Sequence, residues 1–170
     1  MASTYTLISS NVLASSAASV TFSAIPSTYT DLVLRISARS AEVSTITSIE
    51  LEFNATASSY SFTRLRGDGS AASSSRATSQ SQLTVGTIPA ASATSNTFGN
   101  IEVYIPSYTA SQNKPVSGFN VGENNATAAD IYAHAGLWSN TAAITSIVLD
   151  LGGANFVSGS SFYLYGIKNS

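Results

Sequence analysis

The sequence predicts an all-β protein, an antiparallel two-sheet sandwich of jelly-roll type built from about ten short strands. Three observations predict it. Apolar residues recur at every second position in four well-marked stretches. No stretch keeps the period of a packed helix, and Ser-, Gly-, Asn- and Ala-rich links separate the alternating runs. At 170 residues the chain has the length of one domain. The span 1–170 therefore reads as a single sandwich, with an extended N-terminal segment at 1–18.

The elements follow in order. Thr4–Ile8 and Ser19–Ile25 are the first two candidates, both weakly patterned. "DLVLRISA" (31–38) places Leu32, Leu34 and Ile36 on one face, opposite Val33, Arg35 and Ser37. "SIELEFN" (48–54) turns Ile49, Leu51 and Phe53 inward and Glu50 and Glu52 outward. Tyr60–Arg66 and Gln82–Val85 are weaker. Between and after them, 67–81 and 86–97 read as long links with almost nothing to bury. "NIEVYIP" (100–106) aligns Ile101, Val103 and Ile105. Val116–Val121 and Asp130–Leu137 come next, joined by "NNATAAD" (124–130), which has room for one helical turn at most. "TSIVLDL" (145–151) aligns Ile147, Leu149 and Leu151, and Ser161–Ile167 is the last strand.

Charge is the unusual quantity. Asp, Glu, Lys and Arg make up 9% of the chain, against a typical share of about 25%. Uncharged hydroxyl and methyl groups must cover the surface instead, which suits a subunit that ends up against neighbours better than a free monomer. The net charge of −2 gives no basic footprint for nucleic acid and no polybasic stripe for a membrane surface. Without cysteine there are no zinc–thiolate sites, thiol nucleophiles or disulfides. The start "MASTYTLISSNVLASS" lacks the charge and apolar run of a secretory signal, and no apolar stretch approaches 18 residues. The sequons at Asn54 and Asn125 are then chance matches in a Thr-rich chain.

Few motifs carry chemistry. Arg66-Gly67-Asp68 spells the integrin tripeptide but also describes a plain turn. His134 is the sole histidine, in "YAHAG" on a strand, with no Gly-x-Ser-x-Gly elbow anywhere; it reads as a structural histidine. Glu50 and Glu52 share one face at the spacing of paired carboxylates, and read as a solvated or edge-protecting face rather than a glycosidase pair. Tyr132 and Trp138 are the candidate recognition surface, because exposed aromatic rings suit sugars and proteins; packing of Trp138 in the core is the equal alternative. No metal, cofactor or catalytic residue is assigned, and the chain is read as a non-enzyme.

The last strand, "SSFYLYGIK", is apolar on both faces. Phe162 and Leu164 serve the core, and Tyr163, Tyr165 and Ile167 are assigned to a subunit interface. The stretches "IEVYIPSYTASQNKPVSGF" (101–119), "AGLWSNTAAITSIVL" (135–149) and "NFVSGSSFYLYGIKNS" (155–170) resemble small β-structured virion proteins of tailed bacteriophages. That resemblance covers the C-terminal part and implies a homo-oligomer, typically a trimer, located in the virion after synthesis in the host bacterial cytoplasm. It implies a capsid decoration, or cement, protein bound to the major capsid protein. The alternative is a tail-fibre tip that recognises a bacterial surface glycan. On the first reading Arg64, Arg66 and Arg76 contact the capsid, together with the links 67–81 and 86–97 and the N-terminal segment.

Overall fold

Alternation along the chain becomes twelve strands in the computed structural model, which describes residues 4–123 and 129–168. They are β1 (Tyr5–Val12), β2 (Ser19–Phe22), β3 (Asp31–Ala38), β4 (Ile46–Phe53), β5 (Tyr60–Gly67) and β6 (Ala72–Gln80). The second half supplies β7 (Leu83–Pro89), β8 (Gly99–Ile105), β9 (Lys114–Glu123), β10 (Ala129–Trp138), β11 (Ile147–Asp150) and β12 (Ser161–Ile167).

The pairing explains the architecture. β1 pairs with β12, β2 with β11, β3 with β8 and β4 with β7, all antiparallel. Nested pairs of this kind form one long hairpin. Rolling that hairpin up brings β12 beside β3 and β11 beside β4, which is the jelly roll. Two further hairpins, β5–β6 and β9–β10, interrupt the roll and extend one of its sheets. The result is an eight-stranded sheet, β1-β12-β3-β8-β9-β10-β5-β6, facing a four-stranded sheet, β2-β11-β4-β7.

Between the sheets lies the core that the alternation marks out. Leu32, Leu34 and Ile36 meet Ile49, Leu51 and Phe53, with Ile101, Val103, Ile105, Leu149 and Leu164 among them. At one end Trp138 packs 5.3 Å from the Phe53 ring and stacks on Tyr60 at 6.1 Å. Fully burying each large apolar side chain contributes about 1.5–3 kcal/mol.

Both predicted links need correction. The serine run inside 67–81 forms β6, which pairs with β5 and is exposed along most of its length. It is held by backbone hydrogen bonds at a sheet edge, so no apolar alternation announces it. The link at 86–97 begins as β7, whose seven residues are all buried. β7 carries no alternation because the whole strand is covered: β9 and β10 pack closely against it. Glycines at inward positions of both strands allow that approach. A Cβ on Gly118 would sit 3.0 Å from the Val85 carbonyl oxygen, and one on Gly136 would sit 2.6 Å from Leu83 Cδ1.

The remainder of that link is wound around one cation. Arg39, almost fully buried, donates from Nη1 to the carbonyls of Thr94 (2.8 Å) and Thr97 (3.0 Å), and from Nη2 to Ala93 (3.0 Å). The proposed helical turn at 124–130 falls mainly outside the described residues; Ala129 and Asp130 open β10. The extended N-terminal segment contains strand β1, Tyr5–Val12, which lies on the edge beside β12.

Candidate functional site

Chemistry-bearing groups are scarce, and most are tied to the fold. Lys114, fully buried, donates from Nζ to the carbonyls of Ala110 (2.7 Å) and Gln112 (2.5 Å), and burial lowers its pKa. Asp31, buried, accepts from the Tyr104 hydroxyl (2.7 Å) and the Ser107 amide (2.8 Å). Asp68 accepts from the amides of Ser70 and Ala71, which hold its carboxyl below the usual range. The Arg-Gly-Asp tripeptide is thus the end of β5 plus an Asx turn, with its arginine occupied elsewhere.

That arginine anchors the hairpin. Arg66 Nη2 meets Asp130 Oδ2 at 2.6 Å, and its guanidinium carbon lies 5.6 Å above the Tyr132 ring. The carboxylate is fully buried while the arginine is partly exposed. This pair raises the Arg66 pKa, chiefly through the hydrogen bond to Asp130.

His134 is a structural residue in a buried relay. Asn120, on β9, donates from Nδ2 to the Thr87 carbonyl at 3.1 Å, so its Oδ1 is the acceptor for His134 Nε2 at 3.3 Å. That arrangement places the imidazole proton on Nε2. Desolvation, with the nearby Arg64 charge second, pushes the His134 pKa down to about 4.

Glu50 and Glu52 lie on the outer side of β4 as the alternation predicts. Glu50 accepts from Thr84 Oγ1 at 3.0 Å, and desolvation raises its pKa against that hydrogen bond. In the ladder it stands opposite Asp150, whose carboxylate accepts from Gln82 Nε2 at 2.6 Å. Among the described residues no group of three His, Cys, Asp or Glu side chains is placed to hold a metal ion.

The predicted recognition pair moves inside. Tyr132 is 3% exposed and Trp138 1%, because both occupy the inward side of β10, where the bend over β7 and the core cover them. Of the predicted interface residues, Tyr163 and Tyr165 are half-buried on the outer side of β12. Ile167 is 7% exposed: it lies between Tyr5 and Asp31 in the ladder and is already covered within the chain. The three predicted capsid-contact arginines separate as well. Arg64 and Arg66 point inward on β5; Arg76 stands across from Thr63, outward and exposed.

Two surfaces remain. One is the outer face of the eight-stranded sheet, where Leu65 (59% exposed), Phe119 (51%), Val121 and Ile131 are neighbours on β5, β9 and β10. Phe119 and Leu65 flank Ala133, and Val121 stands directly opposite Ile131. The sequence did carry a signal for this. "KPVSGFNVGE" has Gly118, Asn120 and Gly122 buried and Phe119 and Val121 exposed, the reverse of the usual assignment. The other surface is a cleft of about 430 Å³ under the β5–β6 hairpin, lined by Arg64, Arg66, Ser73–Ser75, Ser48, Thr87, Tyr132 and Ile46.

These features define an all-β jelly-roll sandwich with one sparsely charged, partly apolar sheet face and one hydroxyl-lined cleft. Compared with protein-family models the chain matches none, and compared with curated proteins it also matches none.

Proposed function

We propose that this chain is a structural protein of a tailed-bacteriophage particle, a capsid decoration protein that binds and stabilises the shell as a homo-oligomer. The observation that supports it is the outer face of the eight-stranded sheet. Tyr163 and Tyr165 on β12 and the Phe119–Leu65–Val121–Ile131 group lie on that same face. The charges between them, Arg35 and Glu102, neutralise each other at 2.7 Å. A broad apolar face of this kind on a sparsely charged protein marks an association surface. Many weak copies on a shell hold firmly through multivalency, and contacts without free charges resist salt. The sibling subunits take the tyrosine end, and the major capsid protein takes the remainder with Arg76.

The test is stoichiometric. Purified particles should contain this chain at a copy number comparable to the major shell protein. A handful of copies would refute decoration and favour the receptor-binding tip. In solution, Tyr163→Ser with Tyr165→Ser should lower the mass measured by light scattering. Both side chains are half-exposed, so the fold survives, and an unchanged oligomer would rule out the tyrosine interface.

A further inference from the structure

The cleft under the β5–β6 hairpin is independent of where the protein sits in a particle. It exists because the eight-stranded sheet continues past the roll and bends over β7. The inward side of β5 and β6 then faces the outer side of β4 across a gap. Of about 430 Å³, it falls within the range of small-ligand pockets, roughly 300–1,000 Å³.

Its chemistry is selective. Among the described residues two guanidinium groups line it and no carboxylate does. Around them stand Ser73 and Ser75, on the same side of the hairpin as the arginines, with Ser48, Thr87 and Tyr132; Ile46 is the one aliphatic side chain among the described lining residues. The arginines are fixed in position. Arg66 is held by Asp130 and by the face of Tyr132. Arg64 donates from Nε to Ser75 Oγ at 2.8 Å, a bond that uses neither Nη nitrogen. Glu50 feels the Arg64 charge but does not line the cleft.

We propose that this cleft binds a carboxylate-bearing saccharide, a uronic acid or a related acidic sugar. Arg64 takes the carboxylate through its Nη pair, in the forked geometry that suits a planar anion. The serine and threonine hydroxyls, each both donor and acceptor, match the ring hydroxyls. An acidic peptide fits less well, since the walls offer a single aliphatic side chain to pack against.

The experiment is titration of the whole protein with sodium glucuronate, followed by backbone amide NMR. Glucuronate should shift the amides of Ser73–Ser75 and Thr87 saturably, while glucose leaves them in place and acetate binds at least about tenfold more weakly. Arg64→Gln should weaken glucuronate about tenfold or more, the size of one charge-assisted contact. Ser48→Phe, which fills the cleft from the β4 wall, should abolish the shifts. Arg76→Gln, on the far face of the hairpin, should change nothing. No shift at glucuronate concentrations up to ~50 mM overturns the proposal. So does acetate binding as tightly as glucuronate, which would leave only an anion site, or an aspartate-rich peptide that outcompetes the sugar. A melting curve for each variant confirms that a lost shift is not a lost fold.

Discussion

Arg39→Ala tests whether one buried cation organises the segment from 90 to 98. Three carbonyls accept from its guanidinium at 3.0 Å or less, those of Ala93, Thr94 and Thr97. A hydrogen bond to a charged group contributes about 1.5–3 kcal/mol, but the three do not simply add. Thr94 is exposed and Thr97 half-exposed, so water replaces the arginine at those two carbonyls. Ala93 is buried, and its carbonyl would be left unpaired. Together with the lost packing of the Arg39 stem, the net cost is about 3 kcal/mol. For a protein of this size that lowers Tm by roughly 6–12 °C, which calorimetry or circular dichroism will read. Proteolytic nicking between 90 and 98 should rise in parallel. Arg39→Lys, with one compact ammonium in place of a planar fork, should recover less than half of the loss. A Tm for Arg39→Ala within ~2 °C of the parent would refute the reasoning.

Two further predictions concern the layer over β7. The folded-state pKa of His134, about 4, lies below its ordinary 6.5. Its contribution to stability is therefore complete above pH 6.5 and is lost as pH falls towards 4. Against a His134→Gln variant, the parent should lose up to about 3 kcal/mol across that window, read as the pH dependence of Tm; parallel curves would count against a buried neutral imidazole. Gly118→Ala would press a methyl to 3.0 Å from the Val85 carbonyl oxygen, a backbone atom that cannot swing aside. It should cost about 1–3 kcal/mol in a denaturant titration, and a neutral result would show that β9 can lift off β7.

The roll itself was legible. Leu32/Leu34/Ile36, Ile49/Leu51/Phe53, Ile101/Val103/Ile105 and Ile147/Leu149 all alternate and all reach the core. Each of these strands turns one face into the core, and period-two patterning reports that condition. Where it fails, the condition fails. β7 is covered on both faces, and β6 is exposed along most of its length, so neither shows contrast between alternate residues. On β10 the sequence marks a strand but not which of its faces is covered. Tyr132 and Trp138 read as a surface pair because their coverage comes from β7 and the core, elements distant in sequence. The cleft was illegible for the same reason. Arg64 and Arg66 are close to the serine run in sequence, but Ser48 and Thr87 join them only through the bend of the long sheet.

The order of pairing bears on how the molecule is made. β3, near the start, lies between β8 and β12, and β4 lies between β7 and β11. During synthesis both therefore wait for partners that leave the ribosome much later. Until β11 and β12 arrive, the nascent chain holds a half-closed roll with open backbone edges and unsealed apolar rows, a state prone to mispairing. Closure by such distant partners makes folding slow. It also means that truncation before Ser161 removes the strand that β1 and β3 share, leaving both without a neighbour on that side.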